Sequence, residues 1–168
     1  MAIIRFNYKL VSGTFQPVIT LGVLLKNVWR RVDFYVDSGA NYSVISSEVA
    51  EEFEFNYRTG RRISLQVGNG ALIPVYLHDL EIQLGRERFT CPIGFSECLG
   101  VSFNVLGKQG IFDRFKICFL ESQGIISFES WAKSYKKPGF LEKPGFWIPL
   151  NPSNYRKYWQ IPQKTATI

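Results

Sequence analysis

Residues 34–45 read FYVDSGANYSVI, an Asp-Ser-Gly turn with apolar residues on both sides. The residues that enter the turn are rich in β-branched and aromatic types, which favours a strand running into the protein interior. Asp37, at the end of that strand, is therefore expected where a charge is costly and hydrogen-bond partners are needed. Ser38 and the backbone of Gly39 can supply those partners. Asp, Ser and Gly are also ordinary turn residues, so the tripeptide alone does not establish catalysis.

Two further segments follow the turn in order. Residues 67–75 read VGNGALIPV, and residues 104–108 read NVLGK. Together with residues 36–40, VDSGA, they resemble the retropepsin-like aspartic proteases, whose motif is an apolar residue followed by Asp-Thr/Ser-Gly-Ala. In that family the first segment would be the flap, and the second would pack beside the catalytic loop. The resemblance covers about residues 15–128, and residues 106–115 are similar to the cellular, prokaryotic members.

The resemblance implies a mostly-β fold over residues 1–130, a single-domain closed β-barrel of the retropepsin-like aspartic protease type with one or two short helices. Residues 131–168 would form a C-terminal arm that is rich in basic, aromatic and Pro residues. Positive and negative side chains balance in residues 1–130, so the whole net charge of +6 lies in the arm. The arm is expected to pack on the body or on a partner subunit. The alternatives are binding of single-stranded nucleic acid, through phosphate contacts and base stacking, and a disordered tail.

Local patterns agree with this fold class. Runs that alternate, or that are rich in β-branched and aromatic residues, predict strands. They cover residues 3–11, 15–25, 28–36, 63–67, 80–84, 116–120 and 124–128. Turns are predicted at residues 12–13 and 26–27, where the first three strands are interrupted as in hairpins. A short helix capped by a serine is predicted over residues 46–53, and a second one over residues 107–115.

The chain contains one Asp-Ser-Gly sequence, so a mechanism with two carboxylates needs Asp37 from a second copy of the chain. The resemblance implies a homodimeric aspartic endopeptidase, in which the two Asp37 carboxylates share one proton and activate a water for attack on the scissile carbonyl. Ser38 would brace the loop across the dimer, because no His base is available to make it a nucleophile. Gly39 would allow the facing loop and the substrate to approach closely. This mechanism needs no cofactor.

By resemblance, the substrate-binding residues come from the loop, the flap and the second Gly-containing segment. They are Ala40, Asn41, Gly68, Asn69, Gly70, Ala71, Ile73, Val105 and Leu106. Gly68, Asn69 and Gly70 suit the tip of an opening hairpin whose backbone can bind an extended peptide by strand addition, and a plain hairpin turn is the alternative. The apolar members imply protein or peptide substrates with hydrophobic side chains on both sides of the cut.

Two positions depart from many viral members, which have an acid directly after the Ala and an Arg directly after the second Gly. Here those positions are Asn41 and Lys108, which cannot form the bidentate carboxylate–guanidinium pair that braces such dimers. A non-catalytic retropepsin-fold dimer that binds peptide or nucleic acid is therefore one alternative to the enzyme. A retroelement-derived protease that processes a polyprotein is another.

Cysteine and histidine content bears on the compartment and on metal chemistry. Cys91, Cys98 and Cys118 are odd in number and lack paired CxxC spacing, and the chain has one His, His78. Reduced thiols and no metal site are therefore expected. The chain has no run of about 18 uncharged apolar residues and no N-terminal pattern of a signal peptide. These observations favour a soluble, cytoplasmic protein with no membrane partner.

Overall fold

The computed structural model describes residues 3–101 and 103–130. The predicted arm, residues 131–168, lies outside the described residues. Strands dominate the described part, which has one α-helix, α1 (Ser47–Glu52), and two 3₁₀ helices, Tyr57–Thr59 and Glu121–Gln123. The strands are β1 (Ile3–Asn7), β2 (Lys9–Val11), β3 (Thr14–Gln16), β4 (Val18–Leu25), β5 (Val28–Val36), β6 (Ser43–Ser46), β7 (Arg61–Gln66), β8 (Leu72–Leu84), β9 (Glu87–Ser96), β10 (Asn104–Leu106), β11 (Phe115–Leu120) and β12 (Ile125–Ser130).

The main sheet closes on itself. Its seven strands lie in the order β4-β5-β10-β6-β9-β8-β7, and β8 pairs in addition with β4. The closing pairs are Gly22 with Gln83 and Val23 with Ile82. β8 reaches both partners because it is 13 residues long, so that its first half pairs with β7 and its second half with β4. The predicted mostly-β fold is therefore confirmed, with β7 outside a closed circuit of paired strands.

Two smaller sheets accompany the main one. β12 lies between β1 and β11 in a three-stranded sheet, and β2 pairs with β3 in a hairpin. The turns at residues 12–13 and 26–27 join β2 to β3 and β4 to β5, and all four turn residues have φ between 49° and 83°. Positive φ at both central residues is the type I′ geometry, whose twist matches that of paired strands. Both predicted turns are confirmed, while the strand predicted over residues 3–11 is interrupted at Tyr8.

One of the two predicted helices forms. α1 begins after Ser46, whose side-chain oxygen accepts a hydrogen bond from the Glu48 N–H at 3.3 Å, as an N-cap does. The helix predicted over residues 107–115 was wrong, because that stretch is a series of turns. Gly110 has φ of 78°, in the left-handed region, which interrupts helical geometry. A Cβ at Gly110 would overlap the side chain of Cys91, so this packing also requires glycine.

Two apolar clusters lie inside the fold. The larger combines residues of the main sheet, such as the fully buried Phe34 and Phe95, with residues of the three-stranded sheet, such as the fully buried Phe128. The smaller consists of Val44 on β6 and of Ile73, Val75 and Leu77 on β8. Tyr42, Ile63, Leu65, Val67 and Leu99 are half-buried or nearly so and pack against it. Val44 and Ile73 of this smaller cluster also line a cleft beside the β7–β8 hairpin.

Candidate active site

Asp37 lies directly after β5, at the start of a loop of residues 37–42 that we call the Asp37 loop. Its backbone N–H donates to the carbonyl oxygen of Leu106 at 3.0 Å. Its carboxylate oxygen Oδ1 accepts a hydrogen bond from the Gly39 N–H at 2.7 Å, and its carbonyl oxygen accepts one from the Ala40 N–H at 3.3 Å. A Cβ at Gly39 would lie 3.0 Å from Oδ1, so a side chain there would press on the carboxylate. Local backbone groups therefore fix where this acid points.

β10 anchors the loop, because it lies between the two strands that the loop joins. It runs parallel to β5, with Leu106 opposite Val36, and antiparallel to β6, with Val105 opposite Val44. The chain after β10 continues along the loop. The Lys108 N–H donates to the carbonyl of Ala40, and the Gln109 N–H to that of Asn41, both at 2.9 Å. The predicted packing of residues 104–108 beside the Asp37 loop is present in the fold.

Gly107 and Ser43 complete this anchoring. The Gly107 N–H donates to the buried side-chain oxygen of Ser43 at 3.0 Å, which satisfies both polar groups inside the protein. A Cβ at Gly107 would overlap the backbone of Tyr42, so only glycine allows this approach. The loop is thereby held along its length by backbone contacts within one chain.

A cleft of about 560 Å³ opens beside Asp37. It lies between the Asp37 loop and the β7–β8 hairpin, and its floor includes members of the smaller apolar cluster. The residues that line it are Asp37, Gly39, Ala40, Asn41, Tyr42, Val44, Leu65, Gln66, Val67, Gly68, Ile73, Leu99, Val101 and Val105. Asp37 is the one acidic group among these described residues. A mostly apolar groove with a carboxylate at its edge suits an extended chain with apolar side chains.

Most of the sequence-predicted site residues meet at this cleft. The residues that line it include Asp37, Gly39, Ala40, Asn41, Gly68, Ile73 and Val105. Ser38 is exposed beside the cleft without lining it, and Asn69, Gly70 and Ala71 are exposed at the hairpin tip. Leu106 differs from its predicted role, because its side chain is fully buried in the larger cluster. Its carbonyl oxygen contributes instead, by holding the Asp37 N–H.

The environment of Asp37 also differs from the expected buried one. The residue is half-buried, with exposed Ser38 and Gly39 after it. The physical reason is that β5 ends at Val36, the last buried position of the strand, and the chain then turns out along the cleft wall. Within one chain, the carboxylate therefore faces an open groove.

Seven residues that line the cleft were not predicted from the sequence as site residues. They are Tyr42, Val44, Leu65, Gln66, Val67, Leu99 and Val101. A usable signal existed in β7 and its continuation, where Ile63, Leu65 and Val67 alternate with polar residues and so share one face. No such signal marked Leu99 and Val101, because they lie in an irregular segment whose position depends on the fold.

The hairpin that covers the cleft has an ordered tip. The Val67 N–H donates to the carbonyl of Ala71 at 2.9 Å, and the Gly70 N–H to that of Val67 at 2.8 Å. The side-chain oxygen of Asn69 accepts from the Ala71 N–H at 2.9 Å, as in an Asx turn. Gly70 has φ of 85°, which accounts for glycine at that position.

Two ionisable groups outside the cleft, Asp33 and Cys91, have shifted pKa values. Burial raises the pKa of Asp33, but hydrogen bonds from Lys9 and Thr20, both at 2.6 Å, outweigh it and leave this pKa below its usual value. Burial raises the pKa of the Cys91 thiol to about 12.

Residues 3–101 and 103–130 contain no group of three His, Cys, Asp or Glu side chains placed to hold a metal ion. No helix in these ranges is long and apolar enough to cross a membrane.

Comparisons with known proteins bear on the family and the fold. A family model described as aspartyl protease matches residues 23–106, half of the chain. A retropepsin-like aspartic protease from Rickettsia conorii is 18% identical with a TM-score of 0.53, over 76% of this chain and 90% of that chain. The EIAV protease, solved in complex with the inhibitor HBY-793, is 13% identical with a TM-score of 0.44, over 58% of this chain and 86% of that chain. None of the curated proteins matches the sequence. At 18% identity, the likeness to the Rickettsia protein concerns the fold.

Proposed function

This chain belongs to the aspartyl protease family and is therefore a protease hydrolase, and from that premise we propose that it is an endopeptidase that acts as a homodimer. The observation that carries the proposal is the position of Asp37. Its carboxylate is oriented by the Gly39 N–H at the edge of an apolar cleft large enough for peptide side chains. An acid held in this way is a candidate general base or acid for hydrolysis.

The need for a second subunit follows from the number of acids at the cleft. Asp37 is the single acidic residue among the described residues that line it. Asp33 cannot serve as the second acid, because its carboxylate accepts hydrogen bonds from Lys9 and Thr20. A second copy of the chain supplies the missing carboxylate as its own Asp37, related by two-fold symmetry.

The proposed mechanism uses the two carboxylates in different protonation states. Two carboxylates a few ångströms apart share one proton, because both cannot ionise cheaply. The ionised one takes a proton from a bound water as that water attacks the scissile carbonyl, and the protonated one donates a hydrogen bond to the carbonyl oxygen. Oδ1 of Asp37 accepts the Gly39 N–H, and Oδ2 has no partner within the described residues, so the carboxylate keeps acceptor sites for these transfers.

The lining of the cleft supports a substrate class. Val44, Leu65, Val67, Ile73 and Leu99 make it apolar, and the backbone of the β7–β8 hairpin borders it. We infer extended peptide segments with hydrophobic side chains on both sides of the cut. The hairpin would act as the flap, opening to admit the peptide and closing over it.

The test is cleavage of an unbiased peptide library by the full chain from about pH 3 to pH 8, with the mass in solution measured in parallel. Asp37→Asn removes the ionisable group at nearly constant volume, so it is expected to keep the fold and lose cleavage by a factor of about 10² or more. Asp113→Asn is the matched control, because Asp113 is exposed and does not line the cleft.

Two outcomes would contradict the proposal. Cleavage that persists in pure Asp37→Asn protein would remove Asp37 from the mechanism. A wild-type dimer that cuts no peptide of the library at any pH would favour the non-catalytic dimer that binds peptide. Loss of activity in both Asp variants would point to a change of fold and not of chemistry.

We also propose a domain division and a compartment for this chain. We propose a protease body over residues 1–130 and a basic arm over residues 131–168, on the strength of the charge imbalance between them. A cytoplasmic location is supported by the three cysteines, Cys91, Cys98 and Cys118, which form no disulfide.

A further inference from the structure

Asn104 connects the two strands from which the Asp37 loop arises. It is the first residue of β10, and its side-chain amide makes two hydrogen bonds in opposite directions. Nδ2 donates to the backbone carbonyl of Asp33 on β5 at 2.9 Å. Oδ1 accepts from the backbone N–H of Ser46 at the end of β6, also at 2.9 Å. One side chain therefore links the strand before the loop to the strand after it.

This link joins two strands, β5 and β6, that make no backbone hydrogen bonds to each other. β5 and β6 are not paired with each other, and only β10 lies between them. β10 is three residues long and pairs with β6 at one position, Val105 opposite Val44. The backbone ladder is thus short on the β6 side, and the Asn104 side chain adds a second attachment there.

We propose that Asn104 is a positioning residue for the reaction, and that it sets the separation of β5 and β6 and so the placement of the Asp37 carboxylate. This inference rests on the proposed protease function. Asn104 does not line the cleft, so it acts through the backbone. Asn104 binds the carbonyl of Asp33, four residues before Asp37. Leu106, in the same strand as Asn104, accepts a hydrogen bond from the Asp37 N–H. Active-site groups need such support, since a displacement of about 1 Å costs a large part of the rate.

Substitution of Asn104 by Asp tests whether its two hydrogen bonds matter for the reaction. The site needs one donor and one acceptor on a planar group, which an amide provides. An ionised carboxylate in Asn104→Asp has no donor for the Asp33 carbonyl, whereas a protonated carboxyl group has one. The Asn104→Asp variant should therefore have a low kcat relative to wild type at neutral pH, and this ratio should recover at acidic pH. Asn7→Asp is the matched control, because Asn7 is exposed at the end of β1.

The first measurement is peptide cleavage by the full chain, on a substrate selected from the library, at a temperature where every variant is folded. For Asn104→Ala we expect kcat to fall on the order of 10- to 100-fold with KM nearly unchanged. For Asn104→Asp the ratio of its kcat to that of wild type should rise as pH falls from about 7 to 4. The carboxylate of Asp33, held by Lys9 and Thr20, is the same in both proteins and cancels in this ratio. Wild-type kcat in Asn104→Ala, or a ratio for Asn104→Asp that does not change with pH, would overturn the proposal.

The second measurement does not depend on activity. Amide hydrogen exchange of the full chain reports how firmly the strands are held. In Asn104→Ala, the N–H groups of Asp37 and Ser46 should exchange about 10-fold faster or more, while amides in β12 keep their rates and Asn7→Asp matches wild type. Unchanged exchange at Asp37 would overturn the positioning role, even if the wild type cut peptides. If the wild type cuts nothing, the proposed function fails and the exchange rates still decide whether Asn104 holds the loop.

Discussion

Gly107 packs directly against the backbone of Tyr42, so the addition of one carbon atom at this position should be costly. A Cβ there would overlap the backbone of Tyr42, and the backbone cannot rotate away as a side chain can. We expect Gly107→Ala to lower the free energy of unfolding by about 3 kcal/mol or more, as overpacking at buried positions does, and to reduce cleavage. Urea unfolding measured beside peptide cleavage tests both expectations.

Gly22→Ala provides the comparison for this prediction. Its Cβ would meet Cβ of Gln83 and the ring of Trp29, both at 3.2 Å, and a shift of a few tenths of an ångström would relieve these contacts. The expected loss of stability is smaller, about 1 kcal/mol, and Gly22 does not line the cleft. Equal stability of Gly107→Ala and wild type would mean that the Asp37 loop is not held as closely as the backbone contacts indicate.

Val105 and Leu106 explain how far sequence alone could define the site. Both are apolar neighbours in one segment, and both were predicted to contact substrate. Successive residues of a strand point to opposite faces, so only one of the two can face the cleft. The register of β10 between β5 and β6 makes that residue Val105 and buries Leu106. No pattern in three residues fixes that register, whereas Asp37, Gly39 and Ala40 were predicted because the motif itself specifies their order.

In the three-stranded sheet of β1, β12 and β11, Tyr8 links the end of β1 to the turn between β11 and β12. The Tyr8 N–H donates to the carbonyl of Gly124 at 2.7 Å, and its hydroxyl donates to Glu121 Oε1 at 2.8 Å. Both partners lie in the segment that joins β11 to β12. Burial, and then the hydrogen bond and charge of Glu121, raise the pKa of Tyr8 to about 12. The element is therefore sensitive to alkaline pH.

The raised pKa of Tyr8 makes the folded state less stable at alkaline pH. The unfolded chain releases the Tyr8 proton near its ordinary pKa of about 10, while the folded chain keeps it to about 12. Stability from this group is thus complete below about pH 10 and declines as pH rises towards 12. Tyr8→Phe should be less stable than wild type by about 1 kcal/mol at pH 8, and the difference should shrink or reverse by about pH 11.

Urea unfolding of both proteins from pH 8 to 11.5 measures this difference. Glu121→Gln is a useful second variant, because it keeps an acceptor for the Tyr8 hydroxyl and removes the charge. It should therefore weaken the alkaline loss without abolishing the contact. A difference between wild type and Tyr8→Phe that stays constant over the whole range would show that the Tyr8 proton is not linked to folding.

At the scale of the whole molecule, the sheet closes within one chain, whereas the mechanism that we propose needs two acids at the cleft. The main sheet closes within one chain, and the larger apolar cluster is built from that chain alone. The cleft, in contrast, has one acid among its described residues. The sequence pointed to both, since the resemblance implied a single closed domain and the chain has one Asp-Ser-Gly sequence. The homodimer that we propose would account for both facts, and subunit mixing can test it without knowledge of the interface.

The prediction concerns wild-type chains mixed with Asp37→Asn chains. If each site needs Asp37 from both subunits, a mixed dimer is inactive, so an equal mixture that has exchanged subunits should keep about half the activity of its wild-type chains. A nine-fold excess of the variant should leave about a tenth. The same excess of Asp113→Asn chains should cause no loss, because those chains carry an intact Asp37 loop. Wild-type activity that is unaffected by excess Asp37→Asn, after exchange has been verified by mass, would mean that one chain forms a complete site and that its second acidic or polar group has to be sought within the chain itself.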